Sequence, residues 1–150
     1  MSSSPRRRAR ELALQGLYER QLAGSAAPQV FADLAASGGY KHADQPYFAE
    51  LWEGAAGGYD ALLARVTPFL DRSPASLSPI ERAVMVIGAW ELLHRQEIPY
   101  RVVINEAVEL TKDYGGTDGH KFVNGVLDKF AAVIRADEIG ALARERGAAS

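Results

Sequence analysis

Apolar residues recur along most of the chain at three- and four-residue spacing, and no stretch keeps a strict alternation, so the pattern predicts helices and no strands. The first helix has its start signal at Ser4-Pro5. Serine is a good capping residue, and proline suits a first turn, where its missing N–H would have had no partner. The run continues through Leu12, Leu17 and Leu22. At about 100° per residue, Ala9, Leu12, Ala13, Gly16 and Leu17 share one face, with Arg7, Leu14 and Tyr18 on the other side. After a small-residue linker from Ala23 to Pro28, Val30 to Ala36 reads as a short helix stopped by Gly38-Gly39. Tyr47, Phe48, Leu51, Trp52, Ala55, Tyr59, Leu62, Leu63 and Val66 then predict one longer helix running to Pro68. Gly54, Gly57 and Gly58 each weaken it by up to about 1 kcal/mol, so a closely packed neighbour is expected there.

The clearest start signal is Ser78-Pro79-Ile80-Glu81, which has the spacing of a capping box. The helix it opens carries Ala83, Val84, Ile87, Trp90 and Leu93, with Met85, Val86 and Ala89 widening the apolar stripe. Between Arg82 and Glu91 there is no charge, which marks this helix as the central, most buried one. Arg101 to Tyr114 places Val103, Ala107, Leu110, Thr111 and Tyr114 on one face, and Gly115-Gly116 is expected to close it in a left-handed turn. Asp118 is a candidate cap for the next helix, which turns Val123, Val126, Leu127, Phe130, Val133 and Ile134 inward. The fold class is therefore all-α, with about seven helices if the tail after about residue 137 supplies one rather than fraying. A chain of this length suits a single domain over 1–150.

Composition changes this picture mainly through charge. The chain carries 17 Lys+Arg and 19 Asp+Glu, yet Arg6, Arg7, Arg8 and Arg10 fall within the first ten residues without an acid, leaving the remainder acidic. A basic end on an acidic body points to a polyanion, since arginine forks match phosphate and displace its counterions. Cations at a helix N-terminus oppose the macrodipole by a few tenths to about 1 kcal/mol each, so folding alone does not favour them there. A solvated basic terminus accounts for the same residues, and the pattern leaves both readings open.

Other classes recede. There is no cysteine, which fits a reducing cytoplasm, and His42, His94 and His120 show no paired ligand spacing, so no metal is expected. No apolar run reaches the roughly 18–20 residues that span a bilayer, and Glu11, Gln15 and Glu19 interrupt what would be a signal-peptide core. No phosphate loop, serine triad or dinucleotide fingerprint is present. Glu106 and Glu109 stand at helical i, i+3 spacing, which suits either paired acid and base groups or, as expected here, a solvated helix face.

Three stretches together carry a family resemblance: Arg6-Arg7-Arg8-Ala9-Arg10-Glu11, Val103-Ile104-Asn105-Glu106-Ala107-Val108-Glu109-Leu110, and His120-Lys121-Phe122-Val123-Asn124-Gly125-Val126-Leu127-Asp128-Lys129. In these the chain resembles the NusB family of bacterial transcription antitermination factors. The resemblance implies two small helical bundles sharing a central helix, with no catalytic centre and no cofactor. It implies binding of boxA RNA together with NusE, a ribosomal small-subunit protein, and so an indirect link to the transcribing polymerase in ribosomal RNA operons. Carried over by position, it implies RNA contacts at Arg6, Arg7, Arg8, Arg10, Lys121 and Phe122. It places Tyr18, Glu81, Asp118 and Phe122 at or near contacts with NusE and RNA. The region from Ala23 to Gly39 matches no motif.

Several of these residues have a structural explanation as well. Phe122 suits core packing, Glu81 its capping box, and Asp118 a cap. NusB-like domains also precede the catalytic part of ribosomal RNA cytosine methyltransferases, but 150 residues leave no room for a cofactor-binding α/β domain. The sequence leaves open whether the free protein self-associates into a homodimer through its RNA face.

Overall fold

The computed structural model describes residues 4–116 and 118–149; both ends of the expected 1–150 domain and position 117 lie outside the described residues. These residues form helices and turns: α1 (Pro5–Ala23), α2 (Ala27–Ala35), α3 (Gln45–Gly57), α4 (Tyr59–Val66), α5 (Pro79–His94), α6 (Tyr100–Tyr114), α7 (Gly119–Ile134) and α8 (Ala136–Ala149).

The start signals act as the sequence suggests. Ser4 Oγ accepts the Arg7 N–H at 3.1 Å, and the capping box at α5 has both halves, Glu81 N–H to Ser78 Oγ at 3.1 Å and Ser78 N–H to Glu81 Oε1 at 2.9 Å. The ends differ more. α1 stops at Gly24, whose φ of 69° is the one positive value among the described residues and whose N–H donates to the Arg20 carbonyl. Gly115, by contrast, is extended, with φ −100° and ψ −172°, so α6 does not end in the expected left-handed turn. Asp118 precedes α7 without capping it through its side chain.

The single helix expected from Tyr47 to Pro68 is two. Gly58 stands between α3 and α4, and the break lets α3 lie on α1 while α4 turns to pack on α5. A closely packed neighbouring helix is met at Gly54, where a Cβ would sit 1.9 Å from Trp90 Nε1; at Gly58 a Cβ would meet the Gly54 carbonyl oxygen at 3.0 Å, and Gly57 faces open space. α2 begins at Ala27, so the linker is shorter than expected. In α7, Val133 is exposed and Ala131 takes its place in the core.

α5 is the shared element. Its residues from Ala83 to Leu92 are buried without interruption, with α1 and α3 on one side and α4, α6 and α7 on the other. Contacts along its length fix the directions of its neighbours. Arg10 meets Glu91 and Gln21 meets the Pro79 carbonyl, so α1 runs antiparallel to α5. Gly119 lies against Glu81, Gly88 against Leu127 and Arg135 against Leu92, so α7 runs parallel to it. At the far end of α5 the buried Arg135 guanidinium donates to the carbonyls of Glu91, Leu92, Arg95 and Ile98, tying α7 to the last turn of α5 and to the turn that follows it. The chain after about residue 137 belongs to α8, whose Glu138 accepts the Tyr100 N–H at the uncapped start of α6.

Candidate nucleic-acid interface

Because α1 is antiparallel to α5, its basic first turns arrive beside the C-terminal half of α5 and the middle of α6. Two carboxylates wait there. Arg10 is 4% exposed. Its Nε lies 3.0 Å from both oxygens of Glu91, its Nη2 2.9 Å from Oε2, and its Nη1 3.3 Å from Glu106 Oε1. The Tyr47 hydroxyl, on α3, donates to the same Glu91. Burial works against the charge on Arg10, but the attraction and hydrogen bonds of Glu91 outweigh it and raise its pKa. Burial, reinforced by Glu91, also raises the pKa of Tyr47 and keeps it a donor. Arg10 is thus held inside the molecule, where it ties α1 to α5, rather than on the outer face of the basic motif.

The other three arginines reach the surface. Arg7, with its side chain 36% exposed, forks onto Glu106, Nε to Oε1 at 2.9 Å and Nη2 to Oε2 at 2.6 Å. This uses one edge of the guanidinium and leaves the Nη1 N–H groups without a partner on Glu106. The hydrogen bond from Arg7 is the first cause holding the Glu106 carboxyl below its ordinary range, with Arg10 adding to it. Arg6 stacks on the Tyr47 ring at 3.9 Å and places Nε 3.3 Å from Asp44 Oδ2. Asp44, Glu91 and Glu106 therefore counter three of the four charges that stood out in the sequence. Arg8 has no such partner among the described ion pairs, and its buried Nε finds no hydrogen bond within the protein.

Arg8 opens onto a groove of about 520 Å³ between α1 and the last turn of α6, bordered also by Glu11, Gln15, Tyr18, Ile80 and Tyr114. Tyr18 and Tyr114 are exposed, and the Tyr114 hydroxyl donates to Glu11 Oε2 at 3.0 Å. Glu11 Oε1, like Arg8 Nε, is buried without a hydrogen-bond partner in the protein. The groove thus combines a cation without an ion-pair partner among the described residues and two exposed tyrosines, the groups that hold single-stranded nucleic acid through backbone charge and base stacking, with the Glu11 carboxylate as an opposing charge.

The remaining sequence-derived residues gather at the N-termini of α5 and α7. Glu81 is committed to its capping box and also touches the start of α7, where a Cβ on Gly119 would sit 3.1 Å from Glu81 Oε2. Asp118 and Lys121 are well exposed and lie 3.7 Å apart. Phe122 is partly buried, and the guanidinium of Arg72, from the α4–α5 connection, covers its ring at 3.9 Å. Tyr18 and Ile80 share the groove, so α1 connects through Ile80 to Glu81 and the start of α7. No ion pair or ring contact among the described residues joins Phe122 to Arg7 or Arg10; its cation partner is Arg72 instead.

Sequence reasoning passed over Tyr47, Glu91 and Glu106 as functional residues. Glu106 faces Arg7 and Arg10 instead of forming the solvated face expected of it, and only Glu109 of that pair looks outward, toward Lys112. A signal for Glu91 did exist: an acid on the most apolar helix needs a buried partner. No comparable signal pointed to Tyr47.

Among the described residues, no group of His, Asp or Glu could hold a metal ion, and no helix is long and apolar enough to cross a membrane. A family model described as the NusB family matches residues 7–132, which takes in α1 through most of α7. Transcription antitermination protein NusB of Paraburkholderia phymatum is 51% identical over 143 residues, covering 95% of this chain and 99% of that protein. The protein of the same name from Ralstonia pickettii is 52% identical over 140 residues, covering 93% and 90%. Among solved structures, T. maritima NusB superposes with a TM-score of 0.76 at 27% identity, covering 89% of this chain and 94% of that one. A chain from the crystal structure of antitermination factors NusB and NusE in complex with dsRNA superposes with a TM-score of 0.74 at 26% identity, covering 83% and 93%. Sequence and arrangement of helices agree over most of the chain, and the chain belongs to the NusB family.

Proposed function

We propose that this protein is a transcription antitermination factor of the cytoplasm that binds single-stranded boxA RNA together with NusE and so helps the transcribing polymerase pass terminators, notably in ribosomal RNA operons. The role is binding without catalysis. The observation that carries it is the outward edge of α1, where Arg7 and Arg8 stand over a buried, acid-braced Arg10 and beside a groove containing Tyr18 and Tyr114. Family membership supports it, and the relative crystallised with NusE and dsRNA supports the partner and binding to RNA as such. In this reading Arg6, Arg7 and Arg8 meet the RNA backbone, while Arg10 acts from beneath by fixing where the first turns of α1 stand. The exposed Lys121 and the Arg72-covered Phe122 add to the RNA contacts, while Tyr18, Glu81, Asp118 and Phe122 form the part of the surface shared with NusE.

The test is Arg7→Ala combined with Arg8→Ala, measured by filter binding to boxA and to scrambled RNA, with and without NusE. A lost charge-assisted contact is worth about 1.5–3 kcal/mol; Arg8 contributes one in full and Arg7 less, because Glu106 already holds it, so boxA affinity should fall at least about tenfold. The salt dependence should flatten by about 0.7 log units per log unit of salt on account of Arg8, whose charge has no fixed partner. Unchanged affinity, or equal binding of both RNAs by the parent protein, would remove the proposal.

A further inference from the structure

Glu106 presents both carboxylate oxygens to the Nε/Nη2 edge of Arg7, the same fork with which a phosphate engages arginine. It does not stand there freely. Its side chain is 16% exposed, and Oε1 is shared with Arg10, which is itself fixed to Glu91. Glu109 and Asp113 follow on α6 at three- and four-residue spacing and add to the negative field around Arg7. Glu109 is partly offset by Lys112 at 3.7 Å. The helix facing the basic edge of α1 therefore carries an acidic stripe.

We infer that Glu106 is a specificity-determining residue, an internal anion that competes with the RNA backbone for Arg7. The inference rests on the proposed RNA contact at Arg7. A phosphate that takes the Nε/Nη2 fork of Arg7 exchanges places with a tethered carboxylate, and one that takes the open Nη1 edge meets a guanidinium whose charge is already countered, so this arginine contributes little to the salt-dependent attraction that any RNA feels. A strand that offers only charge gains almost nothing at this position. A strand that also fills the groove beside Arg8 brings contacts that offset the displacement of Glu106. Discrimination then comes from an element that weakens the wrong partner more than the right one.

The experiment compares the full-length parent with Glu106→Gln, Arg7→Ala and the double variant, by fluorescence anisotropy with the target strand and a scrambled strand over a salt series. Thermal melts monitor folding. Glu106→Gln should tighten the scrambled strand by up to about five-fold, the ceiling for an exposed ion pair. It should steepen the salt dependence by about 0.7 log units and shrink the preference for the target. In the Arg7→Ala background the same change should have no effect on either strand. If Glu106→Gln leaves the scrambled strand's affinity and slope unchanged, or weakens both strands, while Arg7→Ala still weakens binding, the competitor role is overturned and the RNA contact stands. If Arg7→Ala alone changes nothing, the contact at Arg7 fails, and the inference with it. Should Glu106→Gln not fold, Glu106→Asp, which keeps a charge for Arg10 but shortens the fork, is expected to act in the same direction with a smaller effect.

Discussion

Arg7 and Arg10 lie one helical turn apart on α1, carry the same charge and belong to the same run of arginines, yet they do different work. Arg10 is enclosed by Glu91, Glu106 and Tyr47 and joins two bundles; Arg7 shares only Glu106 and keeps one edge in solvent. An arginine in a basic motif is therefore available to a polyanion only if the fold leaves its donors free. Removing both residues together, the natural first experiment on such a motif, would mix a folding defect with a binding defect.

The largest effect that separates them should come from Arg10→Ala. It strands Glu91 in the interior, and breaking a buried ion pair by deleting one partner costs about 3–5 kcal/mol. Urea unfolding should show this loss, whereas Arg7→Ala, at a partly exposed pair, should stay within about 1 kcal/mol of the parent. Combining Arg10→Met and Glu91→Leu with Tyr47→Phe, which leaves no buried hydroxyl without its acceptor, should recover most of the stability, since apolar groups of similar volume serve a buried position as well as ions do. If Arg10→Ala is no more harmful than Arg7→Ala, the distinction between a strut and a surface contact collapses.

Tyr47→Phe sharpens the same comparison from the α3 side. It removes the hydroxyl that donates to Glu91 and keeps the ring on which Arg6 stacks. A hydrogen bond to a buried charge is worth about 1.5–3 kcal/mol, so stability should fall by that amount while RNA affinity, corrected for the folded fraction, stays put. A loss of affinity larger than the loss of folded protein would mean that the buried brace also sets the position of the outer arginines tightly enough for binding to sense it.

How far these roles were legible in the sequence depends on the reach of the forces involved. Capping at Ser4 and Ser78 is local, with donor and acceptor three residues apart, and both were readable. The central place of α5 followed from its unbroken apolar run. The split at Gly58 was not readable, because Tyr59, Leu62 and Val66 continue the spacing of α3 closely enough to hide a change of direction that only packing on α5 requires. The division of labour among the arginines was hidden for a related reason. Glu91 and Glu106 lie 81 and 96 residues from Arg10, and nothing in the basic run itself says which members they will reach. Phe122 is an intermediate case: core packing suits an aromatic and the ring is partly buried, but its Arg72 cover comes from the α4–α5 connection, a segment without helical periodicity to place it.

The smallest expected effect is in acid, and it also distinguishes the two arginines. Glu106 has its carboxyl pKa lowered in the folded protein, first by the hydrogen bond from Arg7, relative to an ordinary value of 4.5. A depressed acid stabilises the fold above the ordinary value, and that contribution disappears as pH falls through the folded-state value. The parent should therefore lose a share of its stability, within about 1 kcal/mol, as the pH drops below 4.5. Arg7→Ala removes the main cause of the shift, so its stability should decline less steeply over that window, and the two unfolding curves should converge in acid. Curves that instead run parallel to the lowest measurable pH would mean that Arg10 alone holds Glu106 ionised, making the Arg7 fork a passive consequence of the brace beneath it.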